Sequence, residues 1–409
     1  MSLNATPSSD RVHIGIFGRR NSGKSSIINA VTGQNLAIVS NVKGTTTDPV
    51  LKAMELLPLG PVVIIDTPGL DDKGELGLLR VQKAYQILNK TDIAVLVIDS
   101  SVGMTGADRG ILEQIQKKQI PYVIAYNKAD LADEDFEIPP TISGVFNDIP
   151  DVPAGNIIAV STVTGKNIYE LKELIARQAP VEDKNRRIVG DLIHPSDFVI
   201  LVVPIDSAAP KGRLILPQQQ TIRDILEVNA AAIVVKETEL KETFTRLGKA
   251  PDLVITDSQA FAKVSAEVPL EVPLTSFSIL FARYKGNLET AVTGARTLDK
   301  LADGDTVLIS EGCTHHRQCD DIGTVKLPRW ISKHTGKNLN FEFTSGVEFP
   351  IDLSKYNLII HCGGCTLNER EMKYRLKCAE DQGIPMTNYG TAIAHMQGIL
   401  ERSIQIFSK

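Results

Sequence analysis

The chain is poor in cysteine and aromatic residues, has no long apolar run, and carries no marked excess of either charge. Five cysteines in 409 residues are too few for a disulfide-stapled secreted scaffold, and an odd count fits paired bridges badly. A single Trp and an aromatic share of 5% leave few faces on which unpaired bases could stack. Apolar stretches are short and interrupted, so no membrane span is expected. A net charge of -5 argues against a broad polyphosphate-binding surface, and nucleic acid is not an expected partner. The opening MSLNATPSSD has neither a basic head nor an apolar core, so no secretory or transit leader is expected and the cytoplasm is the expected location. What remains is a globular composition, 43% hydrophobic and 23% charged, over a length that calls for two or three domains.

The richest pattern lies near the amino terminus. An apolar run from Val12 to Phe17 reads as a strand, the loop GRRNSGKS follows from Gly18 to Ser25, and an apolar-periodic helix begins at Ser26. Such a loop curls the backbone amides of Gly18, Asn21, Ser22, Gly23, Lys24, Ser25 and Ser26 around a β-phosphate. Lys24 neutralises the β/γ charge and the Ser25 hydroxyl ligates Mg²⁺. Downstream come Thr45 to Thr47, then Asp66 to Gly69 (DTPG) after a strand, then Asn127 to Asp130 (NKAD) after another. Thr46 and Asp66 are expected at the Mg²⁺, and the Gly69 amide at the γ-phosphate. With Asn127 and Lys128 framing the base, Asp130 can accept from guanine N1–H and the amino group, which adenine cannot reciprocate. Ser161 fits the loop behind the base. The expected cofactors are GTP or GDP with Mg²⁺, and Lys24, Thr46, Asp66 and Gly69 are the residues expected to act in hydrolysis.

These motifs, over about residues 10 to 180, make this half similar to the GTPases of the Era, EngA and MnmE group. Leu70 stands where Ras-like switches carry a water-orienting Gln, so slow intrinsic hydrolysis is expected. In MnmE-type enzymes a loop asparagine helps hold K⁺, and Asn21 occupies the matching place, which implies K⁺-stimulated turnover.

After a charged, Pro-containing stretch near residue 180, apolar β-branched runs at 198–203, 231–235 and 253–255 alternate with helical patterns. They imply a small α/β domain with a parallel sheet and no visible chemistry, for which assembly is the expected role. The third region holds two signatures, Cys313-Thr314-His315 and His361-Cys362-Gly363-Gly364-Cys365, each just past an expected strand. If those strands are parallel neighbours, the three thiols converge where open α/β sheets bind ligands. Three sulfurs suit a [4Fe-4S] cluster with one other ligand, or a Cys₃His zinc site, and spacing does not separate the two. His315, His316, His361, water or a substrate atom could be fourth. Cys319 is a lesser candidate and Cys378 reads as core, while His13, His334 and His395 show no partner pattern and are taken as structural. A redox dithiol of Cys362 and Cys365 is the bland alternative.

The pattern Cys-x-His, then His-Cys-x-x-Cys, behind an Era-like GTPase domain, resembles the [FeFe]-hydrogenase maturation GTPases, the HydF family. That resemblance implies three α/β domains: a P-loop GTPase over 1–180, a dimerisation domain over 181–268, and a Rossmann-like [4Fe-4S] domain over 269–409. It also implies Cys313, Cys362 and Cys365 as cluster ligands, a diiron subcluster as cargo, and a homodimer. The implied partners are two radical-SAM maturases and the apo-hydrogenase, with no membrane involved. An Era-like ribosome or tRNA GTPase with a zinc-stabilised carboxyl-terminal domain is the competing class, and a disulfide-switched GTPase a third.

Overall fold

A computed structural model describes residues 6–34, 50–69, 86–131, 151–179, 186–205, 214–312, 321–346, 348–364 and 367–408. The chain forms two compact units, Met1–Glu182 and Asp183–Lys409.

The first unit is built on six strands, β1 (Val12–Phe17), β2 (Val50–Leu56), β3 (Gly60–Asp66), β4 (Ile93–Asp99), β5 (Tyr122–Asn127) and β6 (Ile157–Ala159), in the order β2-β3-β1-β4-β5-β6. Only β2 is antiparallel to its neighbour. Strand β4, IAVLVID, is buried at every position, as a parallel strand covered on both faces must be. Helices bounded wholly within the described residues are α1 (Lys24–Thr32), α2 (Gly106–Lys117) and α3 (Ile168–Arg177). Two apolar cores result, one around Phe17, Leu96 and Ile111, the other around Ile14, Ile27, Val62 and Leu171.

The second unit holds two four-stranded sheets. One contains β7 (Phe198–Val202), β8 (Ala231–Val235), β9 (Leu253–Thr256) and β10 (Leu274–Ser276), in the order β10-β9-β7-β8. The other contains β11 (Thr306–Ser310), β12 (Asn340–Thr344), β13 (Leu358–His361) and β14 (Met386–Asn388), in the order β12-β11-β13-β14. All ladders are parallel. Helices α4 (Leu216–Glu227), α5 (Leu240–Leu247), α6 (Phe261–Glu267) and α7 (Phe277–Lys285) accompany the first sheet in sequence. Then come α8 (Leu288–Arg296), α9 (Leu327–Thr335), α10 (Glu369–Asp381), α11 (Tyr389–Met396) and α12 (Leu400–Ile404).

The two sheets are copies of one design. In each, the first strand is central, with the second on one side and the third, then fourth, on the other. The details repeat. The Phe198 amide donates to Asp252 Oδ2 at 2.7 Å, and the matching Thr306 amide to Asn357 Oδ1 at 2.9 Å. Ser276 caps α7 by accepting from the Ile279 amide, and Asn388 caps α11 by accepting from that of Thr391. Around these caps, Pro273, Thr275, Ala282, Gly286 and Leu288 recur as Pro385, Thr387, Ala394, Gly398 and Leu400.

This arrangement differs from the expected boundary at residue 268. Strand β10 pairs with β9 beyond that point, and at three residues it is too short for a recognisable strand pattern. Nor are the two halves of this unit separate cores: Ala394 and Leu400 pack with Ile200, Val254 and Leu274 of the first sheet. No described helix is long and apolar enough to cross a membrane.

Candidate functional site

In the first unit the phosphate loop joins β1 to α1. Gly23 precedes the helix at φ 91° and Asn21 sits at φ 61°, both left-handed. A Cβ on Gly23 would come within 2.1 Å of Asn127 Nδ2, so glycine is required there by contact as well as by dihedral. That same Nδ2 donates to the Ser22 carbonyl at 3.1 Å, tying the base-binding motif to the loop. Lys24 Nζ donates to the carbonyls of Gly18 and Arg19 at 2.9 and 2.8 Å. The loop thus already encloses the lysine's charge with oxygen acceptors, as a phosphate would. Ser22 is buried, and Ser25 and Ser26 lie in the first turn of α1.

Asp66 ends β3, with its Oδ2 accepting from Ser25 Oγ at 3.4 Å. Burial raises its carboxyl above the usual range, opposed by the Lys24 charge and the Ser25 hydroxyl; a carboxylate desolvated beside a hydroxyl is short of a cation. This donor set fits Mg²⁺. Gly69 lies against the loop at Arg20. At the base-binding end, Asp130 Oδ1 accepts from Ser161 Oγ at 2.6 Å, and Ser161 Oγ in turn accepts from the Thr164 amide at 3.1 Å. Lys128, at φ 62°, donates to Asp99 Oδ2 at 2.6 Å. Burial pushes the Asp99 carboxyl up, but hydrogen bonds from Lys128 and Ser101 outweigh it and hold the group below its usual range. The loop, Asp66, Asn127 and the Asp130–Ser161 pair therefore assemble at the carboxyl ends of β1, β3 and β5. Thr46 lies outside the described residues.

In the second unit, β11 and β13 are parallel neighbours, with Ser310 paired to His361. Cys362 follows at once, its amide donating to the Ser310 carbonyl at 2.9 Å. Its Sγ accepts from the amides of Gly312 at 3.0 Å and Gly364 at 3.4 Å, an arrangement that favours the thiolate a metal needs. Gly312 immediately precedes Cys313 in sequence. Cys313, His315, His316, Cys319 and Cys365 lie outside the described residues.

His361 is buried with both ring nitrogens engaged. Arg375 Nη1 is 2.9 Å from Nε2, and Nδ1 is 2.6 Å from the Cys362 carbonyl. A guanidinium can only donate, so Nε2 is the acceptor and Nδ1 carries the proton. Burial first, then the Arg375 charge, lowers the imidazole to about 3. Neither nitrogen has a lone pair turned to a metal in this geometry, so His361, one of the expected fourth-ligand candidates, is held by Arg375 and the Cys362 carbonyl instead. Arg375 itself is fully buried on α10 and also donates to Glu371 Oε1, Ser310 Oγ and the Gly346 carbonyl. On the other side, Tyr389 Oη donates to buried Glu311 Oε1 at 3.2 Å, and burial, then Glu311 and Cys362, raises its phenol. Sequence reading passed over Arg375, Glu311 and Tyr389. The i, i+4 pair Glu371 and Arg375 was the one local signal available.

Against known families, residues 188–286 match the hydrogen maturase F dimerization domain and residues 289–406 the hydrogen maturase F tetramerization domain. The chain belongs to the hydrogen maturase F family. Residues 13–128 match the 50S ribosome-binding GTPase family. Among curated proteins, the GTPase Era of Rippkaea orientalis is 31% identical over 57% of this chain and 70% of its own length. The GTPase Der of Campylobacter concisus is 37% identical over 41% of this chain and 36% of its own. The tRNA modification GTPase MnmE of Synechococcus sp. is 36% identical over 40% of this chain and 33% of its own. The amino-terminal domain is a GTPase domain that binds GTP or GDP with Mg²⁺, and the rest of the chain carries oligomerisation domains of the hydrogenase maturase. The family description adds tetramerisation to a region that sequence analysis assigned to metal alone.

Proposed function

We propose that this chain is a GTP-hydrolysing scaffold and carrier for [FeFe]-hydrogenase maturation. It holds a [4Fe-4S] cluster on Cys313, Cys362 and Cys365 and carries a diiron subcluster, made with radical-SAM maturases, to the apo-hydrogenase. The observation that carries this reading is the position of Cys362. Its sulfur accepts two amide hydrogen bonds at the end of a strand beside the one that leads to Cys313, within a region matching hydrogen maturase F.

Bound there, the cluster would supply an iron with an exchangeable fourth position for cargo. The protein's part is to aim and charge the sulfurs. The Gly312 and Gly364 amides stabilise the Cys362 thiolate, and Arg375 locks His361 so that its Nδ1–H fixes the Cys362 carbonyl. Since both His361 nitrogens are used, the fourth ligand is His315, His316, water or the cargo. In the GTPase domain Lys24 leaves the Gly18 and Arg19 carbonyls for the β- and γ-phosphates. Ser25, Thr46 and Asp66 hold Mg²⁺, and the Gly69 amide meets the γ-phosphate. Asn21 contributes to a K⁺ site, so turnover is faster in K⁺ than in Na⁺, and equal rates would remove that assignment. The chain works in the cytoplasm as a homodimer or a higher assembly.

The test is anaerobic purification followed by hydrogenase activation with Cys313, Cys362 and Cys365 each changed to Ser. Brown protein with broad absorbance near about 400 nm, and loss of activation in each variant, is the expected result. A colourless, zinc-containing chain would instead favour an Era-like GTPase with a zinc-stabilised carboxyl-terminal domain.

A further inference from the structure

His334 and His395, which no sequence pattern linked, meet at one carboxylate. His334 Nε2 is 2.8 Å from Asp299 Oδ1, and His395 Nε2 is 2.9 Å from Asp299 Oδ2. The three donor atoms lie within 4.8 Å of one another. They come from three elements: Asp299 from the 3-10 turn Thr297–Lys300, His334 from the last turn of α9 and His395 from the last turn of α11. We infer that Asp299, His334 and His395 form a second metal site, built without a cysteine, that takes a divalent transition ion of borderline softness, zinc above all.

The donor set carries the argument. Two imidazoles and a carboxylate are the protein ligands of three-coordinate zinc sites that leave a fourth place open. Hard cations such as Mg²⁺ prefer all-oxygen shells, and thiolate-seeking ions would go to the cysteines. Position adds to it. Two helices end at the site, and each carboxyl-terminal turn contributes negative potential that favours a cation. Each carboxylate oxygen of Asp299 faces a different imidazole Nε2. Tetrahedral zinc with Zn–N bonds of about 2.0 Å separates its ligand atoms by roughly 3.3 Å, a distance reached here by small side-chain rotations. Each Nε2 gives up its proton on binding, to Nδ1 or to solvent. Asp299 is 56% exposed, against 26% for His334 and 17% for His395, so the fourth place faces solvent. An ion here would clamp α9, α11 and the turn after α8 together beneath β11 and β13.

Calorimetric titration of the full chain with Zn²⁺ tests the site. One binding event per chain is expected. It should survive Cys362→Ser and weaken by roughly tenfold or more in His334→Gln and in His395→Gln, with the iron content and GTPase rate of both His variants unchanged as the control for folding. An event of unaltered affinity in the two His variants overturns the proposal. So does its loss in Cys362→Ser, which would place the zinc on the thiols, and so does the absence of any event in the native chain.

Discussion

The two sheets of the second unit share one connectivity and differ in what stands at the same strand end. In the first, β9 ends at Thr256 and Asp257 follows, its amide donating to the Val202 carbonyl while Thr256 Oγ1 donates to the Asp257 carbonyl. In the second, β13 ends at His361 and Cys362 follows, its amide donating to the Ser310 carbonyl while His361 Nδ1 donates to the Cys362 carbonyl. These two bonds recur in both copies, yet a thiol replaces a carboxylate and an imidazole replaces a hydroxyl. The buried Arg375 serves only the second copy. The fold therefore provides a strand-end position twice, and side chains decide which copy carries the thiol.

Changes at three places sharpen that comparison. Arg375→Met should have the largest effect, because it strands Glu371 and His361 in the interior; removing one partner of a buried ion pair costs about 3–5 kcal/mol. Urea unfolding would measure it. Pairing it with Glu371→Leu should recover much of the loss, and no recovery would mean that His361 and Ser310 depend on the guanidinium more than Glu371 does. Next comes Gly390→Ala. The new Cβ would lie 2.2 Å from Cβ of Ser278, the residue occupying the equivalent place in the first copy. Overpacking of this kind costs about 1–3 kcal/mol. If the two positions are equivalent, the exchange Ser278→Gly with Gly390→Ser restores stability, and a double variant as unstable as Gly390→Ala would break the equivalence. The smallest effect is expected at the caps. Ser276→Ala and Asn388→Ala should each cost about 1 kcal/mol, read as similar shifts in denaturation midpoint.

What could be read from the chain in advance was local. The phosphate loop, the DTPG turn and NKAD are contiguous motifs whose geometry is set within a few residues, and Lys24, Asp66, Asn127 and Asp130 are found together. The strand before Cys362 was legible from the apolar run Leu358 to Ile360. Long-range convergence was not. Arg375 reaches His361, Ser310 and Gly346 across three segments, and Asp299, His334 and His395 meet only once α9 and α11 are packed. The duplication escaped for a related reason: the copies keep a few capping and turn residues such as Pro273 and Pro385 but share little of the side chain chemistry between them. Strand β10, three residues long, has its identity only through pairing with β9.

The most direct test of the central claim compares iron content in anaerobically prepared native chain, Cys362→Ser and Asp257→Ser. The account predicts on the order of four irons per chain in the native protein and in Asp257→Ser, with most of that iron lost in Cys362→Ser. Full iron retention in Cys362→Ser, or equal losses in both variants, would contradict it.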